Sequence, residues 1–277
     1  MKILLLGGNG FIGRRLAARL IEAGHELSAP SRAELDLARP NQDWAAWVDG
    51  VDAVANLAGA FRQGRAGGFE AIHHAGPLRL AALARAHGVR RWVQLSALGA
   101  AAHAGARFLS SKGRGDAALL DCGIEAVVAR PSLIYGADGA SSRLLLRLAR
   151  LPFWLLPEGG GQRIQPVAAA DVAEGLQRLI EGDARGVIDF VGAAEASLAD
   201  YLRQLRRLQG VGGAAWLCPV PAWLAAGLAA ACGCWPGSLL NRDSLRMLRQ
   251  GSTADPAAFA ALLGRQPLSF RQFGEVA

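Results

Sequence analysis

The sequence predicts an α/β fold, a doubly wound parallel sheet with a small, mostly helical C-terminal lobe. Three observations carry that expectation. Short apolar runs alternate with helical patterns, which is how βαβ units read. The first run, Ile3–Leu6, is apolar on both faces, as a central parallel strand must be. It enters Gly7-Gly8-Asn9-Gly10-Phe11-Ile12-Gly13, a Gly-x-x-Gly-x-x-Gly turn that opens directly into a helical pattern.

Taken in order, Lys2–Leu6 is the first expected strand. Phe11–Ala23 follows as an amphipathic helix, with Phe11, Ile12, Leu16, Leu20 and Ile21 on its apolar side. The apolar runs His25–Ala29 and Ala53–Leu57 are the next strands, and Phe69–His87 is a long helical pattern. Trp92–Leu95 and Ala126–Ala129 read as buried strands flanking a helix at Gly113–Cys122. Asp171–Ile180 is a helix that Asp171 caps, and Ile188–Val191 is the last strand. Gly64–Gly68 and Glu158–Gly161 are expected as mobile loops. The expected domains are 1–196, with lobe segments lent from about 137–170, and a helical lobe at 197–277.

Apolar residues make up 52% of the 277-residue chain and charged ones 19%, a globular balance. The net charge of +7 comes from scattered arginines with no run longer than a pair, which argues against nucleic acid. Attraction to anionic partners such as phosphorylated cofactors fits better. Lys2 and Lys112 are the only lysines, so Lys112 stands out. The four cysteines show no metal-ligand spacing, and no metal is expected. Reduced thiols, and a first strand with no signal-peptide pattern ahead of it, set a cytoplasmic expectation. No charged residue lies between Arg207 and Arg242. Pro221 and Pro236 leave too short and too weak an apolar run to span a bilayer. A buried lobe helix is expected there. Membrane-surface contact through 214–236 is the alternative, because tryptophans bracket the segment.

The turn has a physical reading as a phosphate cradle. Gly7 permits the tight bend, Gly10 admits a ligand close to the backbone, and Gly13 lets the helix pack on the strand. Free N–H groups and the helix dipole at Phe11, Ile12 and Gly13 then favour a pyrophosphate, with Asn9 in the same turn. Nucleotide choice is read after the second strand, where Ser31 and Arg32 stand and no carboxylate comes before Glu34. A hydroxyl and a guanidinium fork suit a 2′-phosphate, so NADP(H) is favoured, with NAD(H) the alternative.

Together these motifs resemble the short-chain dehydrogenase/reductase superfamily in its extended or atypical branch, near nucleoside-diphosphate-sugar epimerases and the complex I accessory subunit. The resemblance implies a Rossmann domain and further cofactor contacts. Asp36 and Leu37 resemble an adenine-contacting pair, and Leu57, Ala58 and Gly59 a ribose-lining run after Asn56. Pro131, Ser132 and Leu133 fall in a segment beside the nicotinamide. The branch's catalytic set is Tyr-x-x-x-Lys with a nearby Ser, in which Tyr moves the proton and Lys holds the ribose. Here Lys112 and Ser96 stand in place, but Phe108 occupies the Tyr position. Lys112 is therefore expected to bind ribose. Ser96 either orients a substrate or caps a strand. His73, where the branch has Asn, is either a replacement acid or an ordinary polar helix residue. Two functions follow: an atypical oxidoreductase or epimerase-like enzyme on an unidentified small molecule, or a non-catalytic NADP(H)-binding structural or redox-sensing protein. Arg242 and Arg246 near the end of an apolar lobe suit an apolar or acidic substrate. Measured at one salt concentration, NADPH should have the lower Kd; tighter NADH binding would overturn the assignment of Arg32.

Overall fold

The computed structural model describes residues 1–39, 43–60, 68–221, 223–225, 227 and 242–275. In chain order the elements begin β1 (Lys2–Leu6), α1 (Phe11–Glu22), β2 (Glu26–Ser28), α2 (Ala45–Val48) and β3 (Ala53–Asn56). A helical run follows as α3 (Gly68–Glu70), a π-helical turn (Ala71–Ala75) and α4 (Gly76–Ala86). Next come β4 (Arg91–Leu95), α5 (Arg107–Asp121), β5 (Glu125–Pro131), β6 (Ile134–Tyr135), α6 (Ala140–Arg150) and β7 (Phe153–Pro157). The remainder are β8 (Arg163–Ile164), β9 (Val167–Ala168), α7 (Ala169–Glu181), β10 (Gly186–Phe190), β11 (Ala196–Ser197), α8 (Leu198–Leu208), β12 (Trp216–Val220), α9 (Arg242–Gln250) and α10 (Ala257–Leu263).

The chain divides into two compact units. The first comprises Met1–Pro131, Ala169–Phe190 and Ala257–Arg265. Its sheet is wholly parallel, in the order β10-β5-β4-β3-β1-β2. The chain therefore leaves β1 outward to β2 and returns to β3 on the other side, which makes the β1/β3 carboxyl ends the topological switch point. Leu80, Ala81 and Ala84 of α4 and Leu119 of α5 cover one face, packing with Leu4, Val54 and Trp92. The helices α1 and α7 pair elsewhere, tied by Arg19 Nε donating to Gln177 Oε1 at 2.9 Å.

The six expected strands are all present. The helix expected at Gly113–Cys122 instead starts at Arg107, which puts Phe108, Lys112 and Asp116 on successive turns of one face. The contiguous boundary after 196 is not where the units divide. Residues 257–265 return to the first unit because Phe259 stacks on Phe190 at 4.1 Å, over Gly175 of α7. Among its described residues the second unit has strands as well as helices. It holds the strand pairs β6–β9, β8–β11 and β7–β12 beside α6, α8 and α9. Residues 216–220, expected within a buried helix, form β12, and 222, 226 and 228–241 lie outside the described residues. Of the expected loops, 64–67 also lies outside them, and Gly68 opens α3. Glu158–Gly160 is a 3-10 turn, in which a Cβ on Gly160 would press to 2.6 Å from Leu156.

Phe259→Ala should lower the unfolding free energy by about 3–5 kcal/mol, as for other fully buried aromatic rings. Urea titration checks it; a loss below about 1 kcal/mol would mean α10 is not integral to the first unit.

Candidate functional site

Close backbone approach builds the turn after β1. Gly7 adopts φ +76°, and its carbonyl accepts the Gly10 N–H at 2.9 Å. A Cβ on Gly13 would lie 2.1 Å from that same carbonyl oxygen, and one on Gly7 2.9 Å from the Leu57 and Ala58 backbone. No side chain larger than hydrogen fits either position. The helix α1 starts with Gly10 at its N-cap, no side-chain cap and no acidic residue in its first turn. Its opening N–H groups have no carbonyl one turn earlier within the helix, so they and the dipole are offered to an anion. The cradle fits a pyrophosphate. Asn9, Phe11 and Ile12 belong to this turn; the Asn9 carbonyl accepts from Arg14 Nη1 at 3.2 Å, and Ile12 is buried.

A second cluster follows β2. The Ser31 N–H donates to Glu34 Oε2 at 2.7 Å; the Ser31 hydroxyl first, and this N–H second, lower the Glu34 pKa. Asp36 is buried; its Oδ1 accepts the Ala38 N–H at 3.0 Å. Its Oδ2 lies 3.3 Å from Arg32 Nε and 3.7 Å from Arg39 Nε, and both guanidinium side chains remain 70% exposed. Leu37 packs into the core, and a Cβ on Gly76 would lie 2.4 Å from its carbonyl, so α4 can reach this loop only through glycine. Arg39 joins this cluster although it did not stand out in the sequence; its i+3 spacing from Asp36 was the available signal.

The third cluster gathers around Gly59. A Cβ there would stand 3.7 Å from His73 Nε2 and 3.9 Å from Lys112 Nζ. Ahead of it, Asn56 Oδ1 accepts the Ala58 N–H at 3.1 Å while Nδ2 donates to Gln94 Oε1 at 2.9 Å, fixing the 57–59 backbone. His73 sits in the π-helical turn, buried. Its Nε2 accepts the Ala60 N–H at 3.1 Å, and its Nδ1 lies 2.9 Å from Ser111 Oγ, which donates to the Phe108 carbonyl. That chain of bonds requires the neutral Nδ1–H tautomer. Burial first, and the Lys112 charge second, lower the His73 pKa to about 3. Its ring stacks on Phe69 at 5.4 Å and meets the edge of Phe108 at 5.5 Å. At neutral pH, His73 thus holds no proton of an acid poised for transfer, and both its nitrogens are engaged.

Lys112 is buried, and its Nζ donates to the Leu95 carbonyl at 2.9 Å, 5.5 Å from the centre of the Phe108 ring. Burial lowers its pKa to about 8, against the opposing pull of Asp116. Asp116, one turn on, accepts at Oδ2 from Ser96 Oγ at 2.7 Å and from Arg130 Nη2 at 2.9 Å. Burial raises the Asp116 pKa, while Ser96, Arg130 and Lys112 oppose the rise. Ser96 therefore spends its hydroxyl proton on Asp116. Asp116 went unnoticed in the sequence, although its i+4 spacing from Lys112 was visible; Arg130 was legible only as the residue that opens the Arg-Pro segment beside the nicotinamide, not as a partner of Asp116. Two glycines seat α5 here: a Cβ on Gly113 would lie 2.2 Å from Ala101, and one on Gly115 1.8 Å from the His73 carbonyl oxygen.

Pro131 closes β5 in the first unit, whereas Ser132 and Leu133 open the second. The Ser132 hydroxyl donates to the Gln165 carbonyl, and the Leu133 carbonyl accepts the Val167 N–H at 3.0 Å. Tyr135 stacks on Phe273 at 4.4 Å in that unit's core. Asp171, expected as a cap, is fully buried and paired with Arg265 at 2.7 Å.

Residues 3–113 match the model of the NAD dependent epimerase/dehydratase family. The chain is 28% identical over 203 residues to the mitochondrial NADH dehydrogenase (ubiquinone) 1 alpha subcomplex subunit 9 of Arabidopsis thaliana. That match covers 65% of this chain and 50% of the relative, so the chain spans about half the relative's length. Among solved structures, a human epimerase family protein with NADPH has a TM-score of 0.73 at 21% identity, covering 100% of both chains. The Thermus thermophilus UDP-glucose 4-epimerase complex with NAD has a TM-score of 0.68 at 19% identity, covering 99% of this chain and 98% of that one.

The His73 geometry has a pH consequence. Below about pH 6.5 the unfolded chain takes up a proton that the folded protein refuses until about pH 3. Stability should therefore fall as pH drops through that window. The fall should be shallower in His73→Gln, whose amide can keep both hydrogen bonds. Urea midpoints across the window check it; parallel curves for the two proteins would contradict a neutral buried His73.

Proposed function

Because the chain is an atypical short-chain dehydrogenase/reductase with an NAD(P)-binding Rossmann fold, we propose that its first unit holds NADP(H) as a binding or redox-sensing protein. In this reading the proton-transfer half of the family's chemistry is missing. Phe108 is the observation that carries it. Its ring is buried against Phe69 and His73, one turn before Lys112, where a proton-transferring hydroxyl would be needed. A phenyl ring has no proton to give. Neither His73 nor Ser96 replaces it, since the first is neutral and doubly bonded and the second donates to Asp116.

The residues present support the cofactor. The N–H groups of Phe11, Ile12 and Gly13 hold the pyrophosphate, with Gly7, Asn9 and Gly10 shaping the turn. Arg32, with Ser31 and Arg39, takes the 2′-phosphate; the two exposed guanidiniums on one buried carboxylate form an anchored fork for it. Asp36 and Leu37 flank the adenosine, and Leu57, Ala58 and Gly59 line the ribose. Lys112 donates to ribose hydroxyls, and Pro131, at the end of β5, lies toward the nicotinamide. When bound, the dinucleotide supplies or accepts a hydride. The protein's part is to orient it and to keep the site's charges fixed. A cytoplasmic setting belongs to the same reading, in keeping with the free thiols of Cys122 and Cys218.

One observation favours a second reading, an oxidoreductase or epimerase-like enzyme on a small molecule. Lys112, with its pKa lowered to about 8, can itself surrender a proton near neutrality. Phe108→Tyr separates the two. The binding reading expects negligible turnover of a carbonyl panel by the wild type, and a gain of about 100-fold or more once a hydroxyl is restored. Substantial wild-type turnover, unchanged by Phe108→Tyr, would overturn it. Lys112→Met should weaken NADPH binding about tenfold or more by loss of its charged donor, read by fluorescence titration.

A further inference from the structure

The second unit carries a bare apolar face. In the parallel pair β7–β12, Phe153 is in register with Trp216 and Leu155 with Cys218, so their side chains share one side of the ribbon. That side is open: Phe153 is 56% exposed, Leu155 62% and Trp216 80%. The opposite side, with Trp154 and Leu156, is buried in the unit's core. Parallel strands are ordinarily covered on both faces, and apolar patches of this kind mark contact surfaces. Shortly after β12, Trp223 is a further 75% exposed.

Charge says what covers it. The strands of the ribbon, 153–157 and 216–220, carry no charged residue, and the acidic residues that flank these parts of the chain are matched by arginine: Glu158, directly after β7, pairs with Arg249 at 3.1 Å and Asp200 with Arg203 at 2.6 Å. Arg143, Arg147 and Arg150 recur at i, i+4 and i+7 on α6, all exposed, and the chain runs from Arg150 straight into the apolar strand. A second copy docked on the same face would set arginine against arginine, which opposes self-association. Exposed apolar side chains on the strand that directly follows an exposed arginine row match the boundary between acyl chains and anionic headgroups. Among the described residues no helix is long and apolar enough to cross a membrane, so contact through this face is peripheral.

We propose that the second unit docks on an anionic phospholipid surface, inserting the Phe153, Leu155 and Trp216 face while Arg143, Arg147 and Arg150 meet the headgroups. Arg206 holds the platform from within. Its Nη1 donates to the Ala149 and Leu151 carbonyls at 2.9 and 3.0 Å, and its Nε to the Gly213 carbonyl at 2.9 Å, tying the starts of both strands together.

The test is flotation of the full chain with vesicles of phosphatidylcholine, alone or containing phosphatidylglycerol. Wild type should float with the anionic vesicles, far less with the neutral ones, and less as salt rises. Phe153→Ser with Trp216→Ser should lower partitioning about tenfold or more, and each of Arg147→Gln and Arg150→Gln about fivefold. NADPH affinity and thermal midpoint, unchanged in these variants, show that they remain folded. Three results would overturn the proposal: no flotation with anionic vesicles, equal flotation of wild type and the Phe153–Trp216 variant, or a wild-type dimer in sedimentation that Phe153→Ser dissociates.

Discussion

The carbonyl oxygen of Gly7 is the point on which the first unit turns. It accepts the Gly10 N–H and leaves Gly13 no space for a side chain. A side chain on Gly7 itself would collide with the Leu57 and Ala58 backbone. One peptide group therefore sets three distances: the tightness of the bend, the depth at which α1 meets the sheet, and the separation of the β1 and β3 ends. Those two ends are where the strand order reverses, and an open crevice there follows from topology alone. The parallel pairing of β1 with both β2 and β3 depends on the same geometry, because α1 must leave the turn at a fixed angle to return the chain.

Behind the crevice the protein maintains charges where water is scarce. An isolated buried ion costs roughly several kcal/mol, so Lys112, Asp116 and Arg130 can be kept only as a mutually compensating set. Ser96 and the Leu95 carbonyl complete their hydrogen bonds. This arrangement immobilises the ammonium. It also explains why α5 carries Gly113 and Gly115 at the expense of helix propensity: without them Lys112 could not come within reach of the β4 carbonyl. The same close fit presses Phe108 into the aromatic trio with Phe69 and His73. Position 108 is thus packed as core.

What the sequence disclosed was local in nature. The β1 run, the glycine spacing and the α1 stripe lie within fifteen or so residues, and they fixed the strand, the turn and the helix together. Phe108 and Lys112 were legible through their spacing alone. The beginning of α5 was not, because Ala106 offers no capping side chain and Arg107–Ser111 has no apolar rhythm to announce a helix. Ser96, Asp116 and Arg130 are far apart in the chain, and only the crossing of α5 over β4 and β5 unites them. His73 was recognised as unusual, yet its tautomer depends on Ala60 and Ser111, which no pattern links to it. In the second unit, two-residue strands are too short to leave an alternation, and Pro157 at the end of β7 and Pro219 within β12 read as breaks rather than strand residues.

The interleaving of the two units in the chain bears on how the protein is made. Synthesis delivers β1 to β5 first, but β5 is then an open edge with a largely apolar sequence, Glu125-Ala-Val-Val-Ala-Arg-Pro131. Its partner β10 emerges only after the whole first segment of the second unit, and α10 later still. During that interval the nascent chain exposes the row of unpaired backbone groups that invites strand addition from a neighbour. The α1 face that packs on α7 waits as well. The first unit therefore cannot close until residue 265 has been made, after nearly all of the second unit has already left the ribosome.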